Sequence, residues 1–199
     1  MNHAGLKIIR YSSFAAIRWK NGGGITREAI RVPPTGGSFL WRVSVAHIDA
    51  SGPFSDFAGY DRRMVLLQGR GIELQFAGGE RRFLRSVGDC VEFDGAVSAH
   101  CELLDGPCVD LNLMVSKSLR SAGRLECLSK GPAAAANGAE TTLIFGIQDP
   151  LLLDCSVGES ARLEPWDLAI LKDCSARLSK IASSAGSGPS AVFIATISH

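Results

Sequence analysis

The sequence lacks the usual signatures of membrane spans, phosphate loops and common hydrolases. No run of about 18 apolar residues occurs among its 199 residues, so we expect no segment to span a bilayer. The motifs G-x-S-x-G and G-x-x-x-x-G-K-[ST] are both absent. Lys and Arg number 21 against 20 Asp and Glu. This near balance argues against nucleic acid or an anionic membrane as the main partner.

The cysteines also lack a metal-binding pattern. None of the six forms a C-x-x-C pair, and only Cys101 and Cys108 lie within ten residues of each other. Since zinc sites usually take thiolates about two to four residues apart, we interpret the cysteines as mostly small buried thiols in a reducing compartment. The first fourteen residues contain no apolar core of a signal peptide, and we therefore expect a cytoplasmic protein.

Short segments of alternating apolar and polar residues fill most of the chain. Clusters of Gly, Pro, Asp and Ser separate them, as at Pro33–Gly37 and Gly69–Gly71. Many short strands divided by turn signals are typical of an all-β sandwich or barrel, and this is the fold class that we predict.

A weak internal repeat refines this prediction. Val65–Phe93 and Leu143–Leu171 each contain strand, turn, strand and Gly-Glu, and each ends in an Asp followed by an apolar strand. Asp89 and Asp167 both lie 24 residues after the start of their segment. Such units build small jelly-roll barrels of the cupin type, so we predict two fused barrels, a bicupin. Residues 1–118 would form the first barrel and residues 119–199 a shorter second half, together one compact unit. Chance similarity between β-hairpins is the alternative.

The histidines do not supply the metal site that a cupin-like barrel usually holds. Such a site takes His-x-His, a Glu and a further His, which suit a divalent transition metal. Here the histidines are His3, His47, His100 and His199, with no His-x-His. We therefore expect a barrel without metal or other cofactor, in which His47 and His100 are ordinary strand residues.

Two predicted strands each place a pair of polar side chains on one face. Arg42 and Ser44 are two residues apart, as are Asp110 and Asn112, and strand side chains alternate between faces. If those faces line the mouth of the barrel, they form a pocket for a small carboxylated or amide-bearing ligand, with Arg42 as a bidentate clamp. The alternative is that both pairs lie on solvated outer faces, where such residues are common.

Three consecutive glycines, with Gly23 in the middle, interrupt the segment Trp19–Glu28. They allow a sharp bend or a close approach of the backbone. One interpretation is a mobile hairpin. The other, which we favour, is that the chain crosses close to the mouth of the first barrel, so that Asn21, Thr26 and Glu28 reach the same space as the strand residues.

Three stretches of the sequence resemble the HutD/Ves family, whose members are associated with histidine utilisation in bacteria. They are WKNGGGITRE (Trp19–Glu28), the segment Phe39–Leu74, which contains FSDFAGYDR, and GPCVDLNLMV (Gly106–Val115). The resemblance implies a bicupin-like fold without the usual metal ligands. It also implies a protein that governs histidine degradation by binding an intermediate such as urocanate or N-formylglutamate. Ala58 departs from the family pattern, which has proline there.

The strand faces and the family motifs together predict one pocket for a small anionic metabolite, with Trp41 and Phe54 as apolar walls. No catalytic residue is assigned, and a homodimer is left open. The predicted ligand-binding residues are Asn21, Gly23, Thr26, Glu28, Trp41, Arg42, Ser44, Phe54, Ser55, Asp61, Arg62, Asp110 and Asn112.

Two other functions compete with a small-molecule binding protein. The first is a cupin-like isomerase or hydrolase that acts on a small carboxylate, with Glu28, Asp61 or Asp110 as general base. The second is a structural β module that binds another protein.

Overall fold

The computed structural model describes residues 5–128, 133–135, 140–181 and 190–199. They form nineteen strands and one short 3-10 helix, Tyr11–Ser13, which confirms the predicted all-β class. The first eleven strands are β1 (Gly5–Ile9), β2 (Ala15–Arg18), β3 (Gly24–Val32), β4 (Trp41–Ile48), β5 (Gly52–Pro53), β6 (Tyr60–Gln68), β7 (Ile72–Phe76), β8 (Arg81–Leu84), β9 (Cys90–Asp94), β10 (Ala99–Leu103) and β11 (Cys108–Ser116). The others are β12 (Arg120–Leu128), β13 (Ala133–Ala135), β14 (Thr141–Gly146), β15 (Leu151–Cys155), β16 (Ser160–Leu163), β17 (Leu168–Lys172), β18 (Ala176–Lys180) and β19 (Ser190–Ser198).

The chain divides into two compact units. One is Phe14–Ser118, and the other combines Met1–Ser13 with Leu119–His199. The first thirteen residues group with the C-terminal segment because β1 pairs antiparallel with β17, with Gly5 opposite Lys172. This grouping differs from the predicted boundary, which placed residues 1–118 in the first barrel, because a pairing over such a separation leaves no local pattern in the sequence. Within the described residues, no helix has the length and apolar character that a membrane crossing requires.

The unit Phe14–Ser118 is a jelly roll of two sheets. The larger sheet has six strands in the order β2-β3-β4-β11-β6-β9, and the smaller has the order β5-β10-β7-β8. Its core cluster includes Met64 and Leu66 from β6 and Ile72 and Leu74 from β7, all fully buried. Each such side chain contributes roughly 1.5–3 kcal/mol of transfer free energy, so this packed core fixes strands that also carry the site.

The second unit has the same two-sheet plan. Five strands follow the order β1-β17-β14-β19-β12, and four follow β13-β18-β15-β16. Its core cluster includes Ile144, Leu151, Leu163 and Leu178, all fully buried.

The internal repeat is confirmed in the strand pairing. In the first copy β6 pairs with β9 and β7 with β8, and in the second β14 pairs with β17 and β15 with β16. The repeated aspartates play the same part in both copies. The Ser86 N–H donates to Asp89 Oδ2 (2.9 Å), and the Glu164 N–H donates to Asp167 Oδ2 (3.1 Å). Each carboxylate therefore accepts from the N–H three residues before it and holds the turn that leads into the final strand.

Candidate functional site

A cavity of about 580 Å³ lies within the unit Phe14–Ser118. Its floor comes from β4, β11 and β6, which are neighbours in the larger sheet. The hairpin of β2 and β3 and the segment after β5 supply the walls. Polar and apolar side chains together line the cavity, and three of its residues, Trp19, Ala46 and Phe54, also belong to the core cluster or pack against it.

The predicted polar residues come together in two cross-strand rows, each a set of residues that lie opposite one another on neighbouring strands. Met114 on the central strand lies opposite Arg42 on one side and Arg62 on the other, so two guanidinium groups flank it. In the next row Asn112 lies opposite Ser44. Alternation along β4 and β11 places all these side chains on the cavity face. Ser44 and Asn112 are 3% and 6% exposed, so these are not solvated outer faces.

Asp110 lies one row deeper, opposite Ala46 and Leu66. Its residue is 1% exposed, and neither carboxylate oxygen accepts a hydrogen bond from another residue in the described part of the chain. Burial raises the pKa of the Asp110 carboxyl to about 7, against the opposing effect of the nearby Arg62 charge. Near neutral pH this group therefore exists both as an acid and as a carboxylate.

Arg62 is a buried cation held by aromatic rings. Its guanidinium carbon lies 5.5 Å from the ring centroids of Phe54 and Phe57 and 4.9 Å from that of Phe93. One η nitrogen donates to the carbonyl oxygen of Ser55 at 3.2 Å. Burial lowers the pKa of Arg62 to about 10, so the group keeps its charge at neutral pH. The rings favour a cation at this position through their quadrupoles.

Arg42 already has a carboxylate partner. Its Nε donates to Glu28 Oε2 at 2.6 Å, and the two side chains are 15% and 22% exposed. Glu28 does not itself line the cavity. Its effect on the site is to orient Arg42 and offset part of its charge.

The glycine-rich hairpin forms part of the wall through Trp19. The indole Nε1 donates to Thr26 Oγ1 at 2.8 Å, and the ring meets Phe54 edge to face at a centroid distance of 6.2 Å. The close approach of the backbone occurs at Gly24. A Cβ there would collide with the carbonyl oxygen of His47 and lie 3.2 Å from the Trp19 ring.

The close approach predicted for the glycine motif does not involve Gly23, which the sequence places in its middle. A Cβ at Gly23 would meet only ordinary contacts, the nearest being Asn21 Oδ1 at 3.4 Å. The Gly23 N–H donates to Asn21 Oδ1 at 3.0 Å, so Asn21 orders the turn. Gly22, with φ of 73°, is the residue that needs a left-handed backbone.

Nine of the thirteen predicted residues line the cavity, and four do not. Those that line it are Asn21, Thr26, Arg42, Ser44, Phe54, Ser55, Arg62, Asp110 and Asn112. Those outside the lining are Gly23, Glu28, Trp41 and Asp61.

Strand alternation explains why Trp41 and Asp61 lie outside. Each immediately precedes an arginine that faces the cavity, Arg42 and Arg62, so each points to the opposite face of its strand. Trp41, predicted as an apolar wall, is 5% exposed and buried on that opposite face, outside the lining of this cavity.

Eight residues of the lining were not predicted from the sequence. Ala46 and Met114 share strand faces with Ser44 and Asn112, so a strict reading with period two would have found them. Trp19 and Lys20 belong to the glycine motif but lie in the turn between β2 and β3, so alternation could not select them, and β2 itself was not predicted as a strand. The missed residues are Ile17, Arg18, Trp19, Lys20, Ala46, Pro53, Phe57 and Met114.

The described residues contain no group of three or more His, Cys, Asp or Glu that could hold a metal ion. Among the residues that line the cavity, Asp110 is the one side chain of these four types. A lining with one carboxylate, no histidine and two buried or half-buried arginines does not fit the His-rich metal site that cupin-like barrels usually hold.

A family model, a curated protein and a solved structure each match this chain. The model of the HutD family matches residues 11–187. A Pseudomonas putida protein, described as an uncharacterised 21.2 kDa protein in the hutC 3' region, is 35% identical over 163 residues, which are 81% of this chain and 84% of that protein. The solved structure of HutD from Pseudomonas fluorescens, in a formate condition, is 30% identical with a TM-score of 0.78, covering 98% of this chain and 100% of that one.

A more distant structural likeness concerns the fold alone. A mutant of oxalate decarboxylase from Bacillus subtilis is 8% identical, with a TM-score of 0.70, and the match covers 98% of this chain and 78% of that one. The predicted cupin-like all-β fold is therefore confirmed.

Proposed function

This chain belongs to the HutD family, and we propose that its cavity binds a small anionic metabolite of histidine degradation. The family is tied to the histidine-utilisation locus, since one relative is named for the hutC 3' region and another is named HutD. The bound metabolite would be urocanate or N-formylglutamate, and its binding would modulate the pathway without chemical turnover.

The charge of the cavity lining is the observation that carries this proposal. Four cations, Arg18, Lys20, Arg42 and Arg62, line the cavity together with a single carboxylate, Asp110. Guanidinium groups bind carboxylates through paired hydrogen bonds, and two of them flank one position of the floor. The volume of about 580 Å³ is in the range of sites for small molecules.

Calorimetry and thermal unfolding with urocanate and N-formylglutamate test the proposal. A ligand present at about 100 times its dissociation constant should add roughly 2.7 kcal/mol to the free energy of unfolding. Imidazole, which has a ring but no carboxylate, is the control compound and should give no comparable effect. Absence of binding by both acids at millimolar concentration would overturn the proposal.

A matched pair of variants locates the binding site. Arg62→Met removes the buried cation that the aromatic rings surround. Arg70→Met removes an arginine whose side chain is 78% exposed and lies outside the lining. We expect the first to abolish measurable binding and the second to leave it unchanged. Equal binding by both variants would place the ligand elsewhere.

The second candidate function is an enzyme with a carboxylate base. Asp110 favours it, because its pKa of about 7 suits proton transfer near neutral pH. Glu28 and Asp61, the other two candidate bases, lie outside the lining. NMR spectra of either acid incubated with the protein separate the functions: stable spectra support binding alone, and a new product that disappears with Asp110→Asn supports catalysis.

A further inference from the structure

The floor of the cavity contains hydrogen-bond acceptors that lack donors. Both carboxylate oxygens of Asp110 and the amide oxygen of Asn112 are buried, and none accepts a hydrogen bond from another residue in the described ranges. Asp110 and Asn112 are 1% and 6% exposed and share one face of β11. Buried acceptors of this kind are costly unless something supplies the missing donor.

The cationic end of the cavity lies at a different level of the same strand. Arg42 and Arg62 flank Met114, which is four residues from Asp110 along β11. At about 3.3 Å per residue the two levels are separated by roughly 13 Å between Cα atoms, while the charges of Arg62 and Asp110 are near enough to interact. One small molecule with two different ends can therefore reach both.

We propose that the natural ligand carries an N–H donor as well as a carboxylate, and that the N–H group donates to Asp110 while the carboxylate meets Arg42 and Arg62. This rests on the proposed function, because it assumes that the cavity holds a small anion. The proposal limits the ligand to acids that carry a ring or amide N–H away from the carboxylate that meets the arginines. A molecule that presents a second carboxylate to Asp110 is disfavoured by repulsion between like charges.

A pair of nearly isosteric acids tests this inference. Urocanate and 3-(2-furyl)acrylate share an acrylate and a five-membered ring, but only the imidazole ring of urocanate has an N–H. Calorimetry at pH 8 should show that the furyl acid binds the wild-type protein roughly tenfold more weakly or worse, the effect of losing a hydrogen bond to a charged group. In Asp110→Leu, which replaces the carboxylate by an apolar group of similar size, the two acids should bind within about threefold of each other.

The outcomes separate this inference from the proposed function. Equal binding of the two acids by the wild-type protein overturns the donor requirement and leaves the anion site standing. Discrimination that persists in Asp110→Leu also overturns it, because the N–H would then bind elsewhere. If urocanate, the furyl acid and N-formylglutamate all fail to bind, the proposed function falls and this inference falls with it. The wild-type comparison stands even if the variant does not fold.

Discussion

Asp110 and Arg62 lie on neighbouring strands and their charges interact, yet no hydrogen bond joins them. In most buried pairs of this kind the arginine lowers the pKa of the carboxyl. Here burial is the larger effect, and the pKa of Asp110 rises to about 7 from its ordinary value of 3.8. The site therefore holds a fixed cation beside a group whose charge changes near neutral pH.

Asp110→Asn should stabilise the protein above pH 7. The raised pKa means that the folded state binds more protons than the unfolded chain between pH 4 and 7, so the stability of the wild-type protein falls as the pH rises through this window and then levels off. Asp110→Asn has no titrating carboxyl at this position, so its stability does not fall in this way. We expect its gain in the free energy of unfolding to reach the order of a few kcal/mol at pH 8 and to shrink towards pH 4.

Urea denaturation of both proteins at pH 4.5, 6 and 8 measures this gain. Asp105→Asn is the control, since that carboxylate is exposed and pairs with Arg70 outside the cavity. It should show no gain that grows with pH. A wild-type protein that becomes more stable from pH 5 to pH 8 relative to Asp110→Asn would contradict the raised pKa.

The affinity for urocanate should depend on pH through the same carboxyl. Around Asp110 the charged or titratable neighbours are Arg62 on β6 and the thiol of Cys101 on β10, with Arg42 acting on Arg62. Burial raises the pKa of Cys101, so that thiol stays neutral. Asp110 is thus the group that ionises between pH 6 and 8.

The quantity to measure is the ratio of wild-type to Asp110→Asn affinity at pH 6, 7 and 8. Titration of urocanate itself cancels in this ratio. If the ionised carboxylate accepts the ligand N–H, the ratio should rise by up to roughly tenfold over this range, following the ionised fraction. A falling ratio would mean that the carboxylate of the ligand, rather than its ring, lies over Asp110.

Sequence periodicity predicted much of the floor of the cavity. Alternation alone placed Arg42 with Ser44 and Asp110 with Asn112, and the structure keeps both pairs on one face. The same alternation places Trp41, which precedes Arg42, on the opposite face of β4, although an aromatic ring would suit the wall of a pocket. The position of a residue in the alternation predicted its face of the strand better than its residue type did, because backbone geometry fixes the alternation.

Other features depend on contacts between distant segments. The pairing of Glu28 with Arg42 is set by the alignment of β3 with β4, which contains a bulge between Glu28 and Ile30. The enclosure of Arg62 by three rings draws on segments more than thirty residues apart, from Phe54 to Phe93. No local pattern in the sequence encodes such register or enclosure.

Arg42→Ala should weaken the binding of urocanate by roughly 1.5–3 kcal/mol, the scale of a charged hydrogen bond. Part of this loss would come from Glu28, which is left without its partner and repels the anion. Glu28→Gln alone should therefore preserve or strengthen binding. The double variant should lose less than Arg42→Ala does.

Calorimetry on the four proteins of this cycle separates the two effects. A loss in the double variant as large as that in Arg42→Ala would assign the whole effect to the guanidinium. Unchanged affinity in Arg42→Ala would remove Arg42 from the site.

The glycine motif offers a prediction that concerns the wall of the cavity. Gly24→Ala should destabilise the protein by roughly 1–3 kcal/mol, because its Cβ would collide with the backbone carbonyl of His47 and press on the Trp19 ring. Gly23→Ala is the matched control, since a Cβ there meets only ordinary contacts. Displacement of Trp19 would disturb its hydrogen bond to Thr26 and its contact with Phe54, so Gly24→Ala should also weaken ligand binding. Thermal unfolding and calorimetry on both variants measure the two effects, and a Gly23→Ala protein as damaged as Gly24→Ala would show that the motif acts through backbone flexibility rather than close packing against the indole.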